Sequence, residues 1–168
     1  MALLSPKVIW AGTVLVIALI EASWLGMISV QGVVPDLVLV MVVYFAITEG
    51  EELAMYTGVL GGMFQDVAAN TVLGQHIVCL VVIGFCIGRV SKRLVTDNPY
   101  VRALTVLIAS IVQGMLFISL EYIQQVDSNA VYTMSLSVMP KAFYTALATP
   151  FAFFIVMRIR PVTQKGAA

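Results

Sequence analysis

Long apolar stretches, separated by short polar clusters, are the feature that most limits what this chain can fold into. Six such stretches cover approximately residues 8–29, 35–48, 53–68, 75–90, 101–125 and 139–158. A helix that spans a membrane needs about 20 mostly apolar residues. The pattern therefore predicts an all-α transmembrane bundle of six helices, in which residues 1–168 form a single domain.

The scarcity of charge supports this prediction. Only 11% of the residues are charged and 61% are hydrophobic, whereas a soluble domain is about a quarter charged. Nine basic and nine acidic residues give a formal net charge of 0. Proteins that bind nucleic acid usually show a clear basic excess, so we expect membrane lipid around the chain and no nucleic-acid partner.

The basic residues predict the orientation, because lysine and arginine concentrate in cytoplasmic segments. The first stretch contains Glu21 and is longer than a typical signal core, so we expect it to remain as helix one. If the N-terminus is cytoplasmic, only Lys141 falls outside. The basic residues inside are then Lys7, Arg89, Lys92, Arg93, Arg102, Arg158, Arg160 and Lys165. Both termini are therefore predicted to be cytoplasmic.

Glycines recur at helical spacing in the third and fourth stretches. Gly58, Gly62 and Asp66 are four residues apart and share one helix face, and Gly84 and Gly88 repeat the pair. Small residues at this spacing let two helix backbones approach closely in lipid. The spacing predicts close packing and leaves open whether the neighbouring helix belongs to this chain or to a partner.

Polar side chains inside the apolar stretches form a second set of candidates, because such groups are costly in a membrane. The set comprises Glu21, Asp36, Asp66, His76, Gln113, Glu121 and Lys141. We expect Asp36, His76 and Lys141 to lie near water at the outer helix ends, and depth alone allows an ion pair between Glu121 and Lys141. The alternative is an outward-opening pocket for a solute or partner.

Recognisable catalytic patterns are absent from the sequence. The single histidine, His76, has no second histidine or cysteine at metal-ligand spacing, and no glycine-rich loop with a lysine is present. Cys79 and Cys86 lie two turns apart on one helix, too distant for a disulfide. We therefore predict no catalytic, cofactor-binding or metal-binding residue and no enzymatic activity.

One ordered pattern resembles a known family. A proline and an aspartate open an apolar helix with one tyrosine, a G-x-x-x-G-x-x-x-D segment follows, and a short turn ends in Leu-Gly. The residues are Pro35, Asp36, Tyr44, Gly58, Gly62, Asp66, Leu73 and Gly74. This order resembles the MreD family, the small membrane subunit of the bacterial rod-shape machinery, or elongasome.

The resemblance implies a non-enzymatic scaffold in the bacterial cytoplasmic (inner) membrane that helps to position peptidoglycan synthesis. It implies direct binding to MreC, in one complex with RodA, a class B penicillin-binding transpeptidase and MreB. The face of Gly58 and Gly62, ended by Asp66, would either receive the single helix of MreC or form an internal seam. The family fold is similar to the solute-binding S-component of energy-coupling-factor vitamin transporters, so a solute-binding subunit is the alternative function.

Overall fold

The computed structural model describes residues 6–24, 34–70, 72–91, 98–124 and 128–159. These residues form six α-helices and no strand, which confirms the predicted all-α class. The helices are α1 (Pro6–Trp24), α2 (Leu37–Thr48), α3 (Glu51–Ala69), α4 (Gln75–Ser91), α5 (Pro99–Ile123) and α6 (Ser128–Ile159).

The largest difference from the predicted spans concerns α6. It begins at Ser128 and continues through Pro140 and Pro150, whereas the apolar stretch suggested a span that starts at residue 139. Proline usually ends a helix in water. In membrane helices it is tolerated, because neighbouring helices and Ser or Thr side chains satisfy the freed backbone groups. Residues 128–138 therefore extend the helix beyond the predicted span.

Local residue chemistry sets the helix ends. Gly50, with φ of 102°, separates α2 from α3, and Asn70 ends α3 with φ of 53°. Glycine and asparagine tolerate these left-handed conformations. At the start of α5, the Asn98 side chain accepts a hydrogen bond from the Tyr100 backbone N–H at 3.0 Å, and Pro99 occupies the first turn.

Helix α2 forms the core of the bundle. Residues 38–46 expose between 0% and 3% of their surface, and α2 contacts all five other helices. A helix that is apolar on every face is normally buried on every face. With 12 residues, α2 is about 18 Å long, shorter than a hydrocarbon layer of about 30 Å.

The outer surface of the bundle is apolar, which is the reverse of a soluble protein. Large side chains are exposed on each of the other five helices; they include Leu19, Val59, Val82, Ile108, Met115, Phe143, Leu147 and Phe151. Extended exposed apolar surface marks contact with a membrane or another protein. The described residues therefore form a bundle whose exterior is suited to lipid or to other membrane helices.

Length and apolar composition together identify one helix able to cross a membrane by itself. Within the described residues this is Tyr100–Ile123 in α5, and shorter apolar helices occupy Trp10–Ser23, Leu37–Thr48 and Gln75–Ser91. The six predicted spans are thus not equivalent. Among the described residues, one helix meets both criteria, while α2 is a short helix enclosed by its neighbours.

Candidate functional site

Asp36 is the most connected buried carboxylate of the described chain. It precedes α2, follows the buried Pro35, and is 0% exposed. The expectation that it lies near water at a helix end is wrong. Because α2 is shorter than the neighbouring helices, it begins inside the bundle, and its N-cap residue lies there with it.

Four donors from four helices surround the Asp36 carboxylate. Its Oδ1 accepts hydrogen bonds from the Leu39 backbone N–H at 2.8 Å and from Gln65 Nε2 at 2.9 Å. Its Oδ2 accepts one from Gln113 Nε2 at 2.9 Å and pairs with Lys141 Nζ at 3.2 Å. A buried charge requires such partners, because burial without them costs several kcal/mol.

Glu21 extends this cluster to α1. Its Oε1 accepts a hydrogen bond from Gln65 Nε2 at 2.8 Å, and its Oε2 accepts one from the Val38 backbone N–H at 2.9 Å. Glu21 and Asp36 thereby satisfy two of the N–H groups that the first turn of α2 leaves unpaired. The Asp36 backbone N–H in turn donates to Thr145 Oγ1 of α6 at 3.1 Å.

We call Glu21, Asp36, Gln65, Gln113 and Lys141 the polar centre. It joins α1, α3, α5 and α6 to the start of α2, and the bond from Asp36 to Thr145 links residues that are 109 positions apart in the chain. The structure therefore brings four of the predicted polar candidates, Glu21, Asp36, Gln113 and Lys141, into one network.

Lys141 pairs with Asp36, so the ion pair suggested between Glu121 and Lys141 is not formed. Lys141 lies in the interior of α6 and not at its start, since the helix begins at Ser128. Glu121 is buried near the C-terminal end of α5, and its Oε2 has no hydrogen-bond partner among the described residues.

A second, smaller polar group joins the ends of α3 and α4. The Asp66 carboxylate accepts hydrogen bonds from the backbone N–H groups of Gly74 at 2.7 Å and His76 at 2.9 Å, and it contacts His76 Nδ1 at 2.9 Å. The His76 ring also packs on Phe117 of α5, with ring centroids 4.6 Å apart. Asp66 thus orders the turn and the first residues of α4.

Four glycines of α3 and α4 lie along the contact between these two helices, and each faces the backbone of the other helix. We call Gly58, Gly62, Gly84 and Gly88 the glycine seam. A Cβ placed on Gly62 would lie 2.7 Å from the backbone of Ile77, and one on Gly58 would lie 2.9 Å from the backbone carbon of Leu80. Neither position has room for any side chain.

The glycines of α4 make the same close approach to α3. A Cβ on Gly84 would lie 3.1 Å from the Ala54 backbone, and one on Gly88 would lie 2.6 Å from the Glu51 backbone nitrogen. Each pair of glycines therefore admits the backbone of the other helix. In the structure this face is occupied by a helix of the same chain, so it is not an open groove for a partner.

An open cavity of about 210 Å³ borders the polar centre between α4, α5 and α6. Its lining comprises His76, Ser110, Gln113, Gly114, Phe117, Ile118, Ser137, Val138 and Lys141. Helices α4 and α6 make no contact with each other in the described residues, whereas α5 contacts both. The cavity therefore lies in the space between α4 and α6, next to α5.

A second cavity, of about 300 Å³, lies between α4 and α5 and also touches α2. Its walls are almost entirely apolar: Ile47, Val82, Ile83, Cys86, Ile87, Val90, Ser91, Thr105, Ile108, Ala109 and Val112. We call this surface the α4–α5 groove. It is open on the outer, apolar side of the bundle.

Sequence reasoning missed Gln65 and Thr145 as members of the network. Gln65 was detectable, since it is an amide beside Asp66 within an apolar stretch, and such a group needs a partner. Thr145 gave no such signal, because a threonine in a helix can bond to its own chain; its hydroxyl does so to the Lys141 carbonyl at 2.8 Å. Among the described residues, no three His, Cys, Asp or Glu side chains are placed to hold a metal ion.

Comparison with known proteins gives one match. The family model described as rod shape-determining protein MreD matches residues 1–160. No curated protein and no solved structure matches the chain.

Proposed function

The chain belongs to the MreD family of rod shape-determining proteins, and from that premise we propose that it is a non-enzymatic scaffold of the cell-elongation complex. In this role it binds MreC and helps to position the enzymes of peptidoglycan synthesis. RodA, a class B penicillin-binding transpeptidase and MreB are the further members of the complex. The protein crosses the bacterial inner membrane several times, with both termini in the cytoplasm.

The observation that carries the scaffold role is the distribution of polarity. The polar centre directs its charged groups toward one another, and the exposed faces of the described helices are apolar. A bundle built this way offers its neighbours shape and van der Waals contact, which are what associate helices in lipid. These properties suit a subunit that holds other membrane helices in place.

The α4–α5 groove is the surface proposed to receive the single helix of MreC. The glycine seam is filled by this chain, so it is unavailable for that contact. The groove is concave, apolar and open, and Val82 and Ile108 on its two walls are exposed. Side chains of a transmembrane helix can fill such a surface without burying a polar group.

Co-purification with MreC in mild detergent tests this proposal. We expect Val82→Trp to fill the groove and to reduce the recovered complex at least about tenfold. A loss of about 1.4 kcal/mol in binding free energy already weakens binding tenfold. Val59→Trp on α3 is the matched control, because Val59 and Val82 are 42% and 41% exposed and Val59 lies outside the groove.

Equal recovery of MreC with both variants, at equal expression, would exclude the groove as the docking surface. Failure of the native protein itself to retain MreC would contradict the scaffold role.

Solute binding remains the second candidate function, and the cavity beside the polar centre is the observation that favours it. It combines charged, amide and hydroxyl groups with the ring of Phe117. A solute-binding subunit of a vitamin transporter should be stabilised by its vitamin, because a ligand that binds only the folded state raises its stability. A vitamin panel measured by thermal unfolding separates this function from the scaffold role.

A further inference from the structure

From the cavity between α4, α5 and α6 we infer a binding site for an uncharged, hydroxyl-rich group of the polyol or hexose type. The site is independent of MreC docking, since its lining residues are not those of the α4–α5 groove. The inference rests on an unsatisfied acceptor, the donor groups of the wall, the local balance of charge, and the size of the space.

The unsatisfied acceptor is Gln113 Oε1. Gln113 lines the cavity and is 4% exposed, and within the described residues this oxygen has no hydrogen-bond partner. The opposite assignment of the amide is excluded by chemistry, because Nε2 donates to Asp36 Oδ2 and a carboxylate only accepts. A buried acceptor without a donor costs about 1–3 kcal/mol. The oxygen itself is covered in the empty cavity, so a ligand hydroxyl that binds against Gln113 must displace this cover to supply the missing donor.

Donors line the same space. The Lys141 side chain is 38% exposed and lines the cavity, and its ammonium has three N–H groups, of which Asp36 takes one. Ser110 and Ser137 add hydroxyls to the wall. A ligand hydroxyl can accept from the ammonium while it donates to Gln113, which neither a pure donor nor a pure acceptor can do.

The balance of charge favours a neutral ligand. Lys141 is already paired with Asp36 at 3.2 Å, and the other basic side chain of the wall, His76, is paired with Asp66 at 2.9 Å. No positive charge of the wall is therefore left to neutralise an anion. A cation would meet the ammonium of Lys141, and no carboxylate lines the cavity.

The size and the walls fit a small ring or polyol. A volume of about 210 Å³ is somewhat larger than an engineered cavity of about 150 Å³ that holds benzene. Phe117, Ile118 and Val138 add apolar wall to the cavity that Lys141 and Gln113 also line. The carbon face of a hexose can pack on such a wall while its hydroxyls bond to the polar side.

The gap between α4 and α6 could admit the hydroxylated ligand from two sources. A soluble sugar would enter from water, whereas the headgroup of a neutral glycolipid would enter sideways from the bilayer. The two sources share the hydroxylated ring, and they differ only in whether acyl chains must accompany it.

Thermal unfolding of the full chain in phosphatidylcholine nanodiscs tests the inference, after purification in a detergent without a sugar headgroup. The probes are galactose, monogalactosyldiacylglycerol and, as an anionic lipid, phosphatidylglycerol. We expect a saturating neutral probe to raise the midpoint by about 5 °C. A rise with the galactolipid alone identifies the lipid source, and a rise with galactose identifies the soluble one.

Two variants locate the site. Ser137→Leu fills the cavity without touching the polar centre, and we expect it to abolish the rise. Ser119→Leu is the matched control, since Ser119 is exposed, bonds to the Met115 carbonyl of its own helix at 2.7 Å, and does not line the cavity. If Ser137→Leu fails to fold, Ile118→Trp fills the same space from α5.

Three results would overturn the inference. They are no rise with either neutral probe, a rise that survives Ser137→Leu or Ile118→Trp, and a rise with phosphatidylglycerol alone. Because MreC is not part of the measurement, any of these leaves the scaffold proposal standing.

Discussion

The glycine seam and the polar centre hold the same bundle together by opposite means. At the seam, two consecutive helices, α3 and α4, have glycines at their contact, so that their backbones pack directly against each other. The polar centre joins five helices: side chains of α3, α5 and α6 reach the Asp36 carboxylate at the start of α2, and Glu21 of α1 is linked to it through Gln65. In lipid, neither can rely on the hydrophobic effect between helices, so one uses shape and the other uses hydrogen bonds and charge.

The difference teaches what each region can tolerate. The seam depends on the absence of side chains, so any added side chain clashes with the backbone of the opposite helix. The centre depends on complementary groups, so loss of one partner can be offset by loss of the other. A second substitution therefore cannot rescue a side chain added at the seam, whereas it can rescue a charge left without its partner in the polar centre.

The largest expected effect comes from Gly62→Leu. Its Cβ would lie 2.7 Å from the Ile77 backbone, which forces α3 and α4 apart, and we expect more than about 5 kcal/mol of destabilisation, a value seen only with a severe defect. Little folded protein should be recovered by size-exclusion chromatography in detergent.

Gly12→Leu is the control for that experiment, because a Cβ at Gly12 has no neighbour within 4 Å. Gly12→Leu should fold like the native chain. Normal recovery of folded Gly62→Leu would show that the seam can open without loss of the bundle.

The next effect is expected from Lys141→Met, which leaves the Asp36 carboxylate buried without its cation. Removing one partner of a fully buried ion pair costs about 3–5 kcal/mol, and we expect a cost at the lower end of this range because the Lys141 side chain is 38% exposed. The double variant Asp36→Asn with Lys141→Met should recover part of that loss, because it removes the charge that lacks a partner. Unfolding of both variants by denaturing detergent measures the difference.

If the destabilisation of the double variant equals the sum of the destabilisations caused by Asp36→Asn and Lys141→Met alone, the two residues are not energetically coupled. The polar centre would then not differ from the seam in this respect. The same cycle at Gly58 and Gly84 should give no rescue, since two added side chains cannot relieve each other.

The smallest effect is expected from Asp66→Ala, which removes a local polar contact at the end of the seam. Gly74 and His76 lose the acceptor for their backbone N–H groups, and we expect a cost of about 1–3 kcal/mol. Hydrogen exchange should increase in the turn before α4 and in its first residues. A comparable increase around Lys141 would show that Asp66 supports the polar centre as well.

The seam could be anticipated from the sequence, and the polar centre only in part. Gly58 and Gly62 precede Gly84 and Gly88 across one short turn, so regular helix geometry places the pairs together. Asp36 and Lys141 are far apart in the chain, and their meeting depends on how deep α2 begins. No residue pattern encodes that depth, so Asp36 was expected at the membrane surface.

The start of α6 differs from the predicted span for a related reason. The apolar stretch predicted a span that begins at residue 139, and this start put Lys141 at a helix end, at the same depth as Glu121. In the structure the helix runs on through Pro140, and Lys141 meets Asp36 instead. The number of helices and their all-α class were predictable, because each apolar stretch is separated from the next by turn-forming residues.

Enclosure of α2 has a consequence for how the protein is made. A segment of 12 residues is too short to partition into the bilayer as an independent span. Its first-turn N–H groups also depend on Glu21 and on its own N-cap, and an unpaired amide is costly in hydrocarbon. The short length of α2 therefore favours its entry into the membrane together with α3, which follows it across Gly50, and the contacts at its start are complete only once Lys141 of α6 pairs with Asp36.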